Sequence, residues 1–237
     1  MKVLLVGFKG KMGQNVLRII NETDGLECHA GYDEYGLELF DSDSLSVDVI
    51  IDFSEPKLTF EVLDQFAMPK KIPMVIGTKG FTKEQQKGIQ ECSKVIPIFI
   101  SFNMSYEIKL LCDVAKYLAP KLAGEFDIQI LEARKNHTLK KPSDTALAIA
   151  AAANEDLNYS IIYNTQGWKN EDEIEISSWR GGNDIGEYTL CFLGKYDKLE
   201  IRHTAFSDEM FAAGAIKAAR FLVDNKKGPG LYGMNDL

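Results

Sequence analysis

The stretch VLLVGFKGKMG, residues 3–13, decides which fold the chain can adopt. Its apolar beginning predicts a β-strand, glycines follow at three-residue intervals, and helical spacing starts directly afterwards at residues 14–20. Glycine permits positive φ angles and close approach of the backbone to a ligand. A helix N-terminus adds free N–H groups and a positive dipole end, which favour phosphate. The stretch therefore predicts the strand–turn–helix unit with which doubly wound α/β folds hold a dinucleotide pyrophosphate.

The glycine spacing departs from the commonest form of this turn, because Lys9 stands where G-x-G-x-x-G has its second glycine. A glycine turn with a purely structural role is the alternative, but the position at the first strand–helix junction favours a nucleotide. Asp33 ends the second predicted strand, where an acid typically binds the adenine ribose and repels a 2′-phosphate, although a solvated turn acid is also possible. Lys9 and Lys11 could instead pair with that phosphate. The sequence thus predicts NADH or NADPH, with NADH slightly favoured.

Strand and helix patterns alternate through the first hundred residues. Apolar runs bounded by turn residues predict strands at 2–6, 26–32, 47–53, 73–76 and 95–100. Strands that alternate with helices imply a parallel, doubly wound, Rossmann-like sheet covered on both faces.

The pattern of the second half is different. A helix is predicted at 104–118, closed by Pro120, and an Ala-rich helix at 143–153, capped by Ser143. Further strands are predicted at 126–132, 159–163, 174–179, 188–193 and 199–206. Because no long helix separates the last four, we expect an α+β domain with a mixed, mostly open sheet, followed by a final helix at 210–223.

Composition excludes several classes of protein. A net charge of −8 argues against a general nucleic-acid binder and suits a soluble cytoplasmic enzyme. The four cysteines form no CxxC pair, so we predict free thiols in a reducing compartment and no metal site. No apolar stretch approaches the roughly 18 residues that span a membrane. The first apolar run, at 3–6, ends in glycines and is interpreted as a strand rather than a signal peptide.

Several motifs, taken in order along nearly the whole chain, resemble one family, the 4-hydroxy-tetrahydrodipicolinate reductases, also called dihydrodipicolinate reductases. The motifs are IDFS at 51–54, IGTKGF at 76–81, SFNMS at 101–105, RGG at 180–182 with GE at 186–187, and FAAGAI at 211–216.

The resemblance implies an enzyme that reduces a cyclic imine dicarboxylate, a small-molecule substrate, on the route to diaminopimelate and lysine. It implies a dinucleotide-binding domain at 1–103 plus 208–237, to which the final helix returns, and a substrate-binding and oligomerisation domain at 104–207. It also implies a homotetramer, and loops after the fourth and fifth strands that cover the nicotinamide. The predicted cofactor-binding residues are Gly7, Lys9, Gly10, Lys11, Met12, Gly13, Asp33, Phe53, Gly77, Thr78, Ser101, Asn103 and Met104.

The active-site signature departs from the family pattern, which runs E-x-HH-x-x-K-x-DAPSGTA. In that pattern the first histidine is the proposed general acid, and the second histidine, the lysine and the S-G-T turn hold substrate carboxylates. This chain has EARKNHTLKKPSDTA at 132–146. Arg134 and Lys135 replace the histidines, Thr138 replaces the lysine, and Asp144 replaces the glycine of the turn.

These replacements change the expected chemistry. Arg134 stays protonated and is a poor general acid, but it can bind an anion through two hydrogen bonds. His137 is the local group whose ordinary pKa suits proton donation near neutrality, although it could be a plain exposed histidine. Asp144 places a negative charge where the family holds a carboxylate. The candidates are Arg134 and His137 for catalysis, and Lys135, Thr138, Ser143, Asp144 and Thr145 for substrate binding.

Three hypotheses follow: the imine reductase itself, a paralogue that reduces another substrate, or a catalytically weak dinucleotide-binding protein. A short-chain dehydrogenase is disfavoured, since Pro120 should end the helix between Tyr117 and Lys121, the letters of its Tyr-x-x-x-Lys pair. The late strands should leave one apolar sheet face uncovered, which predicts assembly of the homotetramer through that face.

Overall fold

The computed structural model describes residues 1–40, 44–183 and 185–237, which divide into two compact units. The first unit is Met1–Ser105 with Asp208–Leu237, and the second unit is Tyr106–Ser207. The domain roles given above, dinucleotide binding and substrate binding with oligomerisation, remain predictions. Among the described residues, no helix has the length and apolar character needed to cross a membrane.

Strands and short helices alternate along the first unit, and strands predominate late in the second. The strands are β1 (Lys2–Val6), β2 (Glu27–Asp33), β3 (Gly36–Leu39), β4 (Val49–Asp52), β5 (Met74–Ile76), β6 (Pro97–Ile100), β7 (Phe126–Arg134), β8 (Ser160–Tyr163), β9 (Glu173–Arg180), β10 (Gly186–Gly194), β11 (Lys198–Ala205) and β12 (Gly230–Tyr232). The helices are α1 (Lys11–Glu22), α2 (Pro56–Val62), a π-helical turn (Leu63–Ala67), α3 (Met68–Lys70), α4 (Lys83–Ser93), α5 (Tyr106–Leu122), α6 (Asp144–Asn154), α7 (Glu209–Asp224) and a closing 3₁₀ turn (Met234–Asp236).

The first unit contains the predicted doubly wound sheet. Its described strands lie in the order β12-β6-β5-β4-β1-β2-β3, and every pairing is parallel except that of β2 with β3. The apolar residues of β1 are fully buried, as expected for a strand covered on both faces. Because β2 and β4 lie on opposite sides of β1, the chain changes winding direction there. This switch point is where such folds bind ligands.

Helix α7 returns to the sheet of the first unit. Its Ala212, Ala215 and Ile216 belong to the same apolar cluster as Leu5 of β1. Gly214 faces the chain just after β6, and a Cβ atom there would lie 1.6 Å from the carbonyl oxygen of Met104. The glycine of the FAAGAI motif is therefore required by close helix packing.

The second unit contains the predicted mixed sheet, with strand order β11-β10-β7-β9-β8 among the described residues. The pairings of β7 and β8 with β9 are parallel, and those of β10 are antiparallel. Helices α5 and α6 cover the face that carries Ile128, Ile130 and Ile176. Since side chains alternate, the opposite face carries Gln129 and Ser177, whose side chains are hydrogen-bonded. The expectation of an apolar open face is wrong, because the helices already cover the apolar side.

Helix α5 does not end before Pro120 as predicted but continues to Leu122. Proline has no N–H, so the helix loses one backbone hydrogen bond at Pro120. Because the fixed φ angle of proline is compatible with a helix, the chain can remain helical for the last two residues of α5. The ladder resumes with an N–H to carbonyl bond of 2.9 Å from Ala123 to Ala119. Tyr117 and Lys121 consequently share a helix face, with the Lys121 Nζ 4.6 Å from the centre of the Tyr117 ring. They lie outside the unit that contains residues 7–13.

Candidate functional site

The glycines of residues 7–13, the phosphate loop, serve different purposes. Gly7 has φ of +77°, and a Cβ atom on it would lie 2.4 Å from the carbonyl oxygen of Phe53. A Cβ atom on Gly13 would lie 2.2 Å from the carbonyl oxygen of Gly7. Gly10 has ordinary extended angles and would bring its Cβ near only one atom among the described residues, the Gly7 oxygen at 3.3 Å. The fold requires Gly7 and Gly13, whereas Gly10 leaves space for a ligand.

Gly10 is also the N-cap of α1. Because it has no side chain, it cannot satisfy the first N–H groups of the helix, which stay available to an anion. The loop therefore fits the pyrophosphate of a dinucleotide on its own geometry.

Asp33 ends β2 beside this loop and is 8% exposed, so the alternative of a solvated turn acid is wrong. Its Oδ1 accepts the Tyr35 N–H at 2.8 Å, and its Oδ2 lies 2.6 Å from the Lys9 Nζ. The hydrogen bond from Lys9 lowers the pKa of Asp33, and the same bond raises the pKa of Lys9. Lys9, which stands where the common motif has its second glycine, is thus the ion-pair partner of Asp33, the candidate for binding the adenine ribose.

Lys11 is directed elsewhere. Its Nζ contacts the Asp208 carboxylate at the start of α7, and the neighbouring Arg18 contacts Glu209. The expectation that Lys9 and Lys11 could both serve a 2′-phosphate is corrected here, since only Lys9 lies beside Asp33. Each lysine pairs with a different carboxylate. Lys9 pairs with Asp33, near the start of the chain, and Lys11 pairs with Asp208, near its end.

A cavity of about 450 Å³ lies beyond the phosphate loop, on the β4, β5 and β6 side of the sheet. Its size suits part of a cofactor. Of the predicted cofactor residues, seven line it, and five lining residues were missed. The predicted ones are Lys11, Met12, Phe53, Gly77, Thr78, Ser101 and Met104, and the missed ones are Ser54, Lys79, Phe102, Asp208 and Phe211.

The turns after β4, β5 and β6 place several of these cavity-lining residues. A Cβ atom on Gly77 would lie 2.2 Å from the Phe53 ring, so Gly77 lets that ring pack across the turn after β5. Ser101 donates its hydroxyl to the Asn103 carbonyl at 2.7 Å, and the Asn103 Oδ1 accepts the Ser105 N–H at 3.1 Å. Asn103 therefore shapes the turn and does not line the cavity.

Asp52, at the end of β4, is a fully buried acid that the sequence interpretation missed. Its carboxylate accepts hydrogen bonds from the Ser54 N–H at 3.0 Å, the Ser54 hydroxyl, the Thr59 hydroxyl at 2.6 Å and the Thr78 hydroxyl. Burial raises its pKa to about 6, although these hydrogen bonds oppose the rise. Asp52 joins the turns after β4 and β5, both of which line the cavity. The acid in the IDFS motif was the signal that could have indicated it.

The candidate substrate residues lie in the second unit, on residues 134–145, the substrate loop. Lys135 and His137 are exposed, and Arg134 and Thr138 are half-buried. The Arg134 Nε is buried, with no hydrogen-bond partner found among the described residues. Arg134 ends β7, and nothing in the described part of the chain pairs with His137.

The end of the substrate loop is held by helix α6. Ser143 is buried and is the predicted N-cap, because its hydroxyl accepts the Ala146 N–H at 3.2 Å; it also lies 3.3 Å from the Tyr188 hydroxyl. Asp144 is exposed and pairs with Lys140, which offsets its negative charge. Thr145 is half-buried in the first turn of the helix.

Comparisons with known proteins agree along the whole chain. Residues 1–104 match the family model described as dihydrodipicolinate reductase, N-terminus, and residues 107–237 match dihydrodipicolinate reductase, C-terminus. The 4-hydroxy-tetrahydrodipicolinate reductase of Caldanaerobacter subterraneus subsp. tengcongensis is 40% identical, over 100% of this chain and 97% of the relative. That of Clostridium novyi is 34% identical, over 100% and 97%.

The fold is also similar to that of a solved dihydrodipicolinate reductase. The dipicolinate-bound dihydrodipicolinate reductase from Paenisporosarcina sp. TG-14 superimposes with a TM-score of 0.78, covering 100% of this chain and 99% of that chain at 21% identity. At this identity the likeness establishes a shared fold. With two family models that together span nearly all residues, and relatives at 34–40% identity, the chain belongs to the dihydrodipicolinate reductase family.

Proposed function

We propose that the protein reduces 4-hydroxy-tetrahydrodipicolinate with a nicotinamide dinucleotide, in lysine and diaminopimelate biosynthesis. The observation that carries the proposal is the match, along the full chain, to relatives named for this reaction. The relatives from Sulfurovum sp., Geotalea daltonii and Clostridium perfringens have this name too, so they do not favour a paralogue with another substrate or a protein that only binds the cofactor. The cofactor supplies the hydride, and the protein's own residues bind and orient the reactants.

The first unit supplies the residues that would hold the cofactor. The N–H groups around Gly10 at the start of α1 would bind the pyrophosphate, and Asp33 would accept hydrogen bonds from the adenine ribose. Lys9 neutralises Asp33 in part and could bind a 2′-phosphate instead. We therefore infer that both cofactors are used and that NADH is slightly preferred.

The second unit supplies the candidate substrate residues. Arg134 would bind a substrate carboxylate through its guanidinium, and His137 would donate the proton that the reduced nitrogen requires. Lys135, with Thr138, Ser143, Asp144 and Thr145, would complete the anion site. The pairing of Asp144 with Lys140 supports this assignment, because it reduces the repulsion that a lone carboxylate would exert on a dicarboxylate.

We also propose a cytoplasmic homotetramer that assembles through the open face of the second unit's sheet. This face mixes polar residues with the exposed Trp179, so its interface would combine apolar contacts with hydrogen bonds between subunits. Light scattering at micromolar concentration should give the tetramer mass, and a monomer mass would contradict this assembly.

The decisive assay follows NADH consumption with the freshly formed condensation product of pyruvate and aspartate semialdehyde. Turnover of this product above that of other cyclic imines supports the proposal. Tight cofactor binding together with faster reduction of a different imine would overturn it. Dipicolinate, which the Paenisporosarcina relative contains, should inhibit competitively with the imine.

A further inference from the structure

We propose that Arg180 is a positioning residue that holds the substrate loop in its folded shape through the loop's backbone. The identity of the ligand that binds this loop rests on the proposed function. The contacts by which Arg180 holds the loop are observed in the structure and do not depend on that function. Arg180 ends β9 and lies beside Arg134 in the parallel register of β7 with β9. It belongs to the RGG motif, to which the cofactor and substrate assignments above give no role.

The guanidinium of Arg180 reaches two separate points of the substrate loop. Its Nη2 donates to the carbonyl of Lys140 at 2.7 Å, and its Nε donates to the carbonyl of Thr138 at 3.4 Å. The same Nη2 lies 2.8 Å from the carboxylate of Glu132, and the Nη1 donates to the Trp179 carbonyl at 2.8 Å. One planar group therefore fixes the middle of the loop to its own strand.

Glu132 extends this bracing to the end of the loop. It is 1% exposed, and its two carboxylate oxygens accept the Ser143 N–H at 3.1 and 3.2 Å, just where α6 begins. Burial alone would raise the pKa of Glu132, but the hydrogen bonds from Ser143 and Arg180 outweigh it and lower the pKa. The carboxylate is thus ionised and tied to both Arg180 and the α6 cap.

The two glycines of the motif complete the arrangement with main-chain bonds. The Gly181 N–H donates to the Arg134 carbonyl at 3.0 Å, and the Asn136 N–H donates to the Gly182 carbonyl at 3.5 Å. Gly182 has φ of +54°, a conformation that favours glycine. Between residues 134 and 143 the bracing bonds all use carbonyl or N–H groups, which every non-proline residue provides. This explains how the loop can carry unusual side chains at 134, 135 and 138 and keep its shape.

The test exploits the tryptic sites that the loop itself carries after Arg134, Lys135 and Lys140. Arg180→Lys keeps the positive charge but loses the planar fork that reaches several acceptors at once. Limited trypsin digestion of this variant, without ligands, should cut the loop at least tenfold faster than in the wild type. Arg220→Lys, on the exposed side of α7, is the matched control and should leave the cleavage rate unchanged.

Binding and kinetics separate positioning from general destabilisation. In Arg180→Lys the KM for the imine and the Kd for dipicolinate should rise at least tenfold, while the Kd for NADH changes less than twofold. Glu132→Gln removes one hydrogen-bond acceptor and the negative charge. It should likewise raise the KM for the imine and the Kd for dipicolinate without changing the Kd for NADH, and it replaces Arg180→Lys as the test variant if Arg180→Lys fails to fold. Loop cleavage within twofold of wild type, or equal acceleration at sites outside the loop, would overturn the proposal. If no imine is reduced but the selective cleavage is seen, the bracing stands and the proposed substrate fails.

Discussion

Replacement of Gly10 by aspartate should stabilise the free protein and weaken cofactor binding at the same time. Gly10 has φ of −74° and ψ of 163°, which any residue adopts, and its only close neighbour among the described residues is the Gly7 oxygen at 3.3 Å. Aspartate is a better N-cap than glycine, and its charge suits the helix dipole. A gain of about 0.5 kcal/mol would raise the Tm of a chain this long by about 1–2 °C.

The same carboxylate would face the pyrophosphate that the loop is proposed to bind. Two like charges about 4 Å apart repel by about 4 kcal/mol at an effective dielectric constant near 20. Screening by water in this exposed loop lowers that figure, and we take about 3 kcal/mol for the variant. Since about 1.4 kcal/mol corresponds to a factor of ten, Gly10→Asp should weaken NADH binding by about 100-fold.

Calorimetric titration of NADH and thermal unfolding of the free protein measure the two effects separately. Gly10→Asn is the matched control, because it has nearly the same shape and capping ability without the charge. Gly10→Asn should show the same rise in Tm. Its NADH affinity should fall less than that of Gly10→Asp, because the new side chain occupies space near the pyrophosphate but carries no charge. NADH binding by Gly10→Asp within threefold of wild type would refute a pyrophosphate at this loop. A Tm lowered by more than about 5 °C would show that the fold itself needs this glycine, as we expect for Gly13→Ala.

Three further predictions concern the cofactor pair, the buried acid and the substrate loop. Lys9→Met should weaken NADPH about tenfold and leave NADH nearly unchanged, because Asp33 then stands unpaired against a 2′-phosphate; equal losses in titrations of both cofactors would contradict this. The pKa of Asp52 is about 6 in the folded protein and near 4 when unfolded, so its contribution is complete below pH 4 and is lost as pH rises through 6. The free energy of unfolding of Asp52→Asn relative to wild type, from urea titrations, should therefore rise by about 2–3 kcal/mol between pH 4 and 8, and a flat difference would rule it out. Wild-type turnover of the lysine-pathway imine should be at least about 100-fold below that of a typical family member, because Arg134 stands at the position of the usual acid and the proposed donor His137 is exposed and three residues away; robust wild-type turnover would contradict this. Joint restoration of the family residues should raise kcat/KM in the same assay: Arg134→His, Lys135→His, Thr138→Lys and Asp144→Gly.

Much of the first unit could be predicted because its signals are local. The phosphate loop and the buried strand β4 each depend on residues close together in sequence. Strands β3 and β12 were missed because each is only three or four residues long. Strand β3 forms a tight hairpin with β2, and β12 pairs with β6, which lies more than a hundred residues earlier in the chain. The predicted helix break at Pro120 was wrong because proline there removes one backbone hydrogen bond while its fixed φ angle stays compatible with a helix, and α5 continues to Leu122.

The candidate site was harder to predict where distant segments meet. Asp208 and Phe211 line the cavity although they come a hundred residues after the other lining residues, and only the path of α7 brings them there. The opposite directions of Lys9 and Lys11 depend on which carboxylate lies nearest, and no spacing rule contains that information. The role of Arg180 was hidden because its partners are carbonyl oxygens, which have no signature in a sequence.

The return of α7 to the first unit also sets an order of assembly during synthesis. Residues 208–237 complete a core whose other members end at Ser105, so β1 and β4 must wait, with part of their apolar surface uncovered, while the second unit is made. At a synthesis rate of roughly 5–20 residues per second, that wait lasts on the order of ten seconds. The second unit is continuous in sequence and needs none of residues 208–237. A released chain that is truncated after residue 207 should therefore hold a folded second unit beside an unfinished nucleotide-binding half, which is the species that a chaperone would meet.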